Sequence, residues 1–286
     1  MANQGVGIKV FGRTDVGKVR KSNEDAFVIA DLMAPQAIHA MARPVALEIG
    51  DRGVLLAVSD GMGGAQAGDV ASALALHSLR RGMSAGHASG VEAALQASVE
   101  KANHRVWDAA AASSERKGMG ATLTAVLIHD NRAYIAEVGD SRAYVLRGDR
   151  FVQLTHDQSY LQLLLDAGAL TREQAETFQY KNVILQAIGS KPSVVVALNR
   201  FALRRGDRIL LCSDGLSGKI RDDEMKSIAS SISTLDAACA ELIDLANTRG
   251  GEDNITVVLA DVEGEGVPAL AEQEKVSLET VRTFTP

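Results

Sequence analysis

Acidic residues beside turns recur five times along the 286-residue chain: Asn23-Glu24-Asp25, Asp60-Gly61, Gly139-Asp140-Ser141, Asp214-Gly215 and Glu252-Asp253-Asn254. Four of the five abut an apolar run. Brought to one end of a fold, these carboxylates would raise one another's pKa unless a cation stood among them. All-oxygen donors without histidine or thiolate suit Mg²⁺ or Mn²⁺ and not zinc. Two such ions about 4 Å apart, sharing a carboxylate, generate hydroxide and stabilise an in-line displacement. Any single Asp-Gly is an ordinary turn pair. Their joint context is what points to chemistry.

The elements that must position these groups are legible in outline. Val54–Gly68 (VLLAVSDGMGGAQAG) is a buried strand ending on Asp60, followed by a glycine-rich turn. Arg208–Gly218 (RILLCSDGLSG) repeats the pattern around Asp214, which suggests two aspartates on one rim. Strands are expected at 5–11, 25–31, 194–203, 207–213 and 255–261. Residues 121–154 alternate with period two and break at Asp130-Asn131 and Arg147-Gly148-Asp149, which makes an antiparallel meander. Helices are predicted over 69–81, ending at Gly82, over 89–112 behind a Ser89/Glu92 capping box, and over 235–247. Two short helices, one over 160–167 and one opening on a Thr171/Gln174 capping box, form a flap at about 160–181. Residues 32–50 hold two prolines and no sustained period, which fits a loop packed over a sheet edge better than a docking element. One domain over 1–262, two sheets flanked by helices, fits best, and 263–286 is expected to be a disordered acidic tail.

A net charge of −6 with both signs interspersed gives no reason to expect nucleic acid or an anionic membrane as partner. No apolar run approaches the roughly 20 residues of a membrane span, and Met1–Val10 lacks a signal peptide's regions. A soluble, cytoplasmic monomer is the expectation. Cys212 and Cys239 sit at apolar positions, so buried free thiols are expected and not a disulfide.

Taken in order, VRKSNEDAF, LLAVSDGMGGAQAGDVAS, GATLTAVLI, VGDSRAYVLR, LTHDQSYLQLLLDAG, NVILQAIG, ILLCSDGLSG and GGEDNITVVLADV resemble the motifs of bacterial type-2C (PPM) metal-dependent serine/threonine protein phosphatases. The resemblance spans roughly residues 8–261. It implies an α+β fold, a four-layer α/β/β/α sandwich of two antiparallel sheets with helices outside. It implies hydrolysis of phosphoserine and phosphothreonine by a hydroxide bridging two Mn²⁺ or Mg²⁺ ions. A phosphorylated protein substrate, and a Ser/Thr kinase whose action is reversed, follow from it as partners. Asp60 would bridge the ions and the Gly61 carbonyl would bind one. Asp214 and Asp253 would complete the second, with Glu24 and Asp25 coordinating directly or through water. Asp140, with Asp214, would hold a third, weaker ion. Arg20 would grip the substrate phosphate, a task suited to a guanidinium. Asn254 would orient the Asp253 loop.

One departure concerns the leaving group. Some members carry a histidine just after the Asp-Gly, and many bacterial ones a little further on; here Met62 and Ala65 stand at those positions. No general acid is assigned. A dinucleotide site at Gly61–Gln66 fails for want of the third glycine. His156-Asp157 is taken as structural, and His77 and Trp107 as packing residues. The rival class is a silent phosphoprotein-binding pseudo-phosphatase, which the complete aspartate set disfavours.

Overall fold

Long antiparallel strands alternate with helices that return over them; the computed structural model describes residues 5–63, 67–271 and 274–286. The strands are β1 (Gly7–Asp15), β2 (Asp25–Asp31), β3 (Val45–Glu48), β4 (Val54–Met62), β5 (Gly120–Ala121), β6 (Leu123–His129) and β7 (Arg132–Val138). They continue as β8 (Arg142–Arg147), β9 (Arg150–Gln153), β10 (Ala197–Ala202), β11 (Arg208–Cys212), β12 (Ile255–Glu263) and β13 (Glu279–Arg282). The helices are α1 (Gly68–Met83), α2 (Val91–Ala111), α3 (Tyr160–Asp166), α4 (Arg172–Glu176), α5 (Asp214–Ser217), α6 (Asp222–Ser231) and α7 (Leu235–Thr248). One sheet has the order β3-β1-β12-β11-β8-β9; the other has β13-β10-β7-β6-β4-β2, with β5 on the end of β4.

Side-chain alternation builds the layers. In β6, Val126 and Ile128 face the other sheet, whereas Leu123, Ala125 and Leu127 face α1 and α2. In β11, Ile209 and Leu211 join the inter-sheet core while Leu210 and Cys212 pack under α7. Both faces of each sheet are therefore covered, which is why the strands are apolar on both sides. The α/β/β/α sandwich and its antiparallel sheets agree with the expectation. Among the described residues no helix is long and apolar enough to cross a membrane.

Several boundaries differ from the sequence reading. β1 runs on through Gly12–Asp15, beyond the strand expected at 5–11, because each of these residues pairs with β12. Helix α1 passes through Gly82 instead of stopping there: a Cβ at Gly82 would lie 2.5 Å from Ser98 Oγ, so the glycine serves helix contact. Helix α2 starts at Val91 with Gly90, at a φ of 94°, as its N-cap in place of Ser89, and no side chain caps it, so the Ser89/Glu92 box is not formed. The Thr171/Gln174 box of α4 is formed on both sides. Within 32–50, β3 pairs with the start of β1 and Ile38 bridges Ile29, closing a sheet edge. Residues 279–282, expected to be disordered, pair with β10 as β13. Trp107 is 37% exposed and His77 is exposed, so neither is a core packing residue.

Candidate active site

Antiparallel pairing brings the predicted carboxylates to one end of the sandwich. β4 and β11 finish there, β2 and β12 begin there, and the β7–β8 turn crosses it. Asp25 and Asp60 are direct partners across β2 and β4. The β1–β2 loop adds Arg20 and Glu24. A cavity of about 490 Å³ opens at this end, lined by Arg20, Glu24, Asp60, Gly61, Asp140, Asp214 and Asp253. Met62 shares its wall, as do Asn182 and Ile184 from the segment after α4. Asp25 does not line the cavity but stands behind it. Ala65 lies outside the described residues.

The Asp-Gly pairs are packing devices as much as turns. A Cβ on Gly61 would sit 2.0 Å from the Gly68 carbonyl oxygen, and one on Gly215 2.0 Å from that of Asn254. Backbone passes too close for any side chain, so each aspartate is held between fixed chain segments.

Hydroxyls and amides then fix the acids. Asp60 N–H donates to Thr122 Oγ1 at 2.9 Å, and Thr122 N–H donates back to the Asp60 carbonyl at 2.8 Å. Thr122 Oγ1 also meets Ser141 Oγ at 2.7 Å, which ties the Asp60 strand to the Asp140 turn. Asp25 Oδ2 accepts from Ser213 Oγ at 2.6 Å and Thr256 Oγ1 at 2.7 Å. Asn254 accepts from Glu24 N–H and donates to the Val16 and Ser22 carbonyls, so it clamps the β1–β2 loop as well as its own. Gly139 N–H donates to Gln158 Oε1 at 2.8 Å. Thr122, Ser141, Gln158, Asn182 and Ile184 were not singled out from sequence. The hydroxyls fall inside the quoted motifs but look like ordinary strand and turn residues, and the amides depend on a fold-level juxtaposition.

Burial holds the carboxyls of Asp60, Asp140 and Asp214 above the usual carboxylate range, and their neighbouring aspartates push further. Burial likewise raises Asp25 to about 7, against the pull of its two hydroxyl donors. Glu24 is raised by burial while Arg20 opposes the shift. Arg20 donates to Asp253 Oδ2 at 2.8 Å.

This is the electrostatics of a site built for cations, and the donors are hard oxygens. Asp25 Oδ1 and Asp214 Oδ1 are buried with no hydrogen-bond partner among the described residues. As the side chains stand, no group of three or more His, Cys, Asp or Glu among the described residues is gathered so as to hold an ion. Two of the carboxylates are engaged otherwise: Asp253 with Arg20 and Asp25 with two hydroxyls. Donor type and the orphaned oxygens of Asp25 and Asp214 fit a hard divalent cation, while the other oxygen of Asp25 and one of Asp253 are held by protein partners.

The family model for protein phosphatase 2C matches residues 45–259. Serine/threonine phosphatase stp of Listeria innocua is 35% identical over 253 residues, which is 87% of this chain and 94% of that protein. Serine/threonine protein phosphatase PstP of Mycobacterium tuberculosis is 36% identical over 262 residues, 92% of this chain but 46% of its own length. The crystal structure of M. tuberculosis PstP/Ppp aligns with a TM-score of 0.76 at 35% identity, covering 89% of this chain and 98% of that one. The PstP catalytic domain in complex with 2 manganese ions aligns with a TM-score of 0.74 at 35% identity, covering 90% and 99%. The chain belongs to the protein phosphatase 2C family.

Proposed function

We propose that this chain is a metal-dependent protein serine/threonine phosphatase that reverses the action of a Ser/Thr kinase. The observation that carries the reading is the gathering of Glu24, Asp60, Asp140, Asp214 and Asp253 around one cavity with one guanidinium, Arg20. The names of its Listeria and mycobacterial relatives support it. Asp60, the Gly61 carbonyl, Asp214 and Asp253 would hold two Mn²⁺ or Mg²⁺ ions, with Glu24 and Asp25 directly or through water. Asp140 and Asp214 would hold a third. Bound there, the cations supply Lewis acidity toward water and toward the phosphoryl oxygens.

The chain's own groups do the rest. Arg20 stands at the rim with its side chain 50% exposed, and its planar fork matches two phosphate oxygens. Water adds to phosphorus, the ester P–O bond breaks, and alcohol and inorganic phosphate leave. No protein nucleophile takes part: burial pushes the Cys212 and Cys239 thiols up to about 12, which keeps them protonated. Met62 lines the cavity where some relatives place a histidine and offers no proton. The leaving alkoxide is therefore protonated from water.

The test is hydrolysis of p-nitrophenyl phosphate and a phosphothreonine peptide with Mn²⁺, Mg²⁺ or EDTA, by the wild type and Asp214→Asn. Turnover should need the metal and fall about 100-fold or more in the variant, since several kcal/mol of transition-state stabilisation is at stake. No turnover with either metal, in a protein whose Tm rises on adding it, would favour the binding-protein reading.

A further inference from the structure

Away from the carboxylates, α1 and α2 meet along a seam of small residues. Gly82 lies so close to Ser98 that a Cβ there would come within 2.5 Å of its Oγ. Close approach of the helices leaves a shallow groove of about 440 Å³ above the seam, floored by Ser78, Gly82 and Ala85. Its walls are basic. His77 and Arg81, four residues apart on α1, face Lys101, His104 and Arg105 on α2. No carboxylate lines it, and no ion pair joins Arg81, Lys101 or Arg105 to an acid among the described residues.

The charge continues sideways. A second hollow shares His77 and Arg81 with the first and adds Arg52 and Arg80. Arg52 donates to the Ser84 carbonyl at 2.7 Å, and Arg80 to the carbonyls of Ala34 and Pro35. Carbonyl partners satisfy hydrogen bonds without cancelling charge. Five cations thus line two adjoining hollows, none of them in an ion pair among the described residues, in a chain whose net charge is −6. Like charges this close repel, and such a surface recruits a partner of opposite sign.

We propose that this α1–α2 groove docks an acidic segment of a protein partner. The occupant follows from charge complementarity and shape: side-by-side helices offer a shallow channel for an extended chain, and the guanidinium and ammonium groups match its carboxylates. The site is separate from the cavity. His77 lies nine residues along α1 from Gly68, and at 1.5 Å per residue the groove begins about 14 Å from the catalytic end. Docking there leaves the cavity open.

The experiment is fluorescence anisotropy with a fluorescein-labelled peptide of alternating Asp and Glu, titrated with the full chain. Saturable binding is expected, weakened about tenfold or more in Arg81→Glu/Arg105→Glu, and weakened by salt as a surface contact is. Both arginines are exposed, and a Tm equal to wild type checks that the variant folds. If it does not, Arg81→Gln/Arg105→Gln should show the same loss to a smaller degree. Turnover of p-nitrophenyl phosphate should be unchanged, and because binding is read without turnover, its outcome is separate from that of the hydrolase reading. Equal binding by wild type and variants, or none by wild type, would overturn the proposal. Tighter variant-sensitive binding to duplex DNA or to phosphatidylserine vesicles would overturn it too, in favour of those partners.

Discussion

Arg20 is bound to Asp253 while half of its side chain stays in solvent. An exposed pair of this kind adds about 0–1 kcal/mol to folding, so its loss is cheap for stability. Arg20→Ala should leave Tm unchanged and lower kcat/KM on a phosphothreonine peptide about 10- to 100-fold, the worth of charge-assisted bonds to phosphate. Arg20→Lys should recover part of it, keeping the charge without the fork. Unchanged kcat/KM in the alanine variant would remove Arg20 from substrate binding. Glu137 behaves in the opposite way. It is 1% exposed, its Oε2 accepts His156 N–H at 2.9 Å, and Oε1 has no hydrogen-bond partner among the described residues. Burial holds its carboxyl well above the usual range, with Asp157 and Asp140 adding to the shift. A carboxyl raised in this way ionises first in the unfolded chain, so stability drains away as pH rises from about 4.5 toward the folded value. Glu137→Gln should therefore gain Tm over wild type as pH is raised from about 4 to 7. Parallel Tm–pH curves would refute that. Asp60 and Asp214 could be found from sequence because an apolar run, an acid and a glycine fall in succession. Glu137 could not: a charged residue in an alternating strand looks like a solvated one, and only the second sheet covers it.

At the scale of elements, the flap is joined to the site through side-chain amides. Gln158 Oε1 accepts from Gly139 N–H and from Gln186 Nε2, each at 2.8 Å, while its carbonyl accepts from Leu185 N–H at 2.7 Å. One residue thus holds the turn that carries Asp140 and the strand-like return that carries Ile184 to the cavity wall. Outer partners of this kind typically govern metal affinity about 10- to 100-fold. Gln158→Ala should raise the Mn²⁺ concentration for half-maximal turnover by about tenfold, with a smaller change in kcat at saturating metal. A metal titration curve that overlays wild type would show the flap to be independent of Asp140. The flap's place in sequence and the α4 capping box were legible, since Thr171 and Gln174 are local signals. Helix α6 was not, because only Met225 and Ala229 of its ten residues are buried, too few to set a period. Helix α1 was legible but cut short at Gly82, where a contact with α2 outweighs the glycine's usual meaning as a stop.

Across the whole molecule, the two sheets share an inter-sheet core that closes at the end away from the acids. Arg147 and Asp207, 2% and 1% exposed, pair at 2.6 Å there, and Arg147 also donates to the Ala202 carbonyl of the opposite sheet. The same end receives the chain after β12. Val267 is buried in the inter-sheet core, Val276 and Leu278 pack against it, and β13 pairs with β10. The acidic, aperiodic composition of 263–286 had pointed to disorder because the few apolar residues that anchor it are scattered. Each finds its pocket only once both sheets exist, so no local period records them. Removing residues 264–286 should therefore destabilise the sandwich and not merely trim it. Fully burying one aliphatic side chain is worth about 1.5–3 kcal/mol, and one such contact, two partial ones and a strand edge would be lost. For a domain of this size each kcal/mol moves Tm by about 2–4 °C, so a fall on the order of 10 °C is expected. The cavity, at the other end, should keep its metal-dependent turnover below that melting point. A truncated chain that melts with the full one would show that the closing strand adds no stability, and that the catalytic domain ends near Val262.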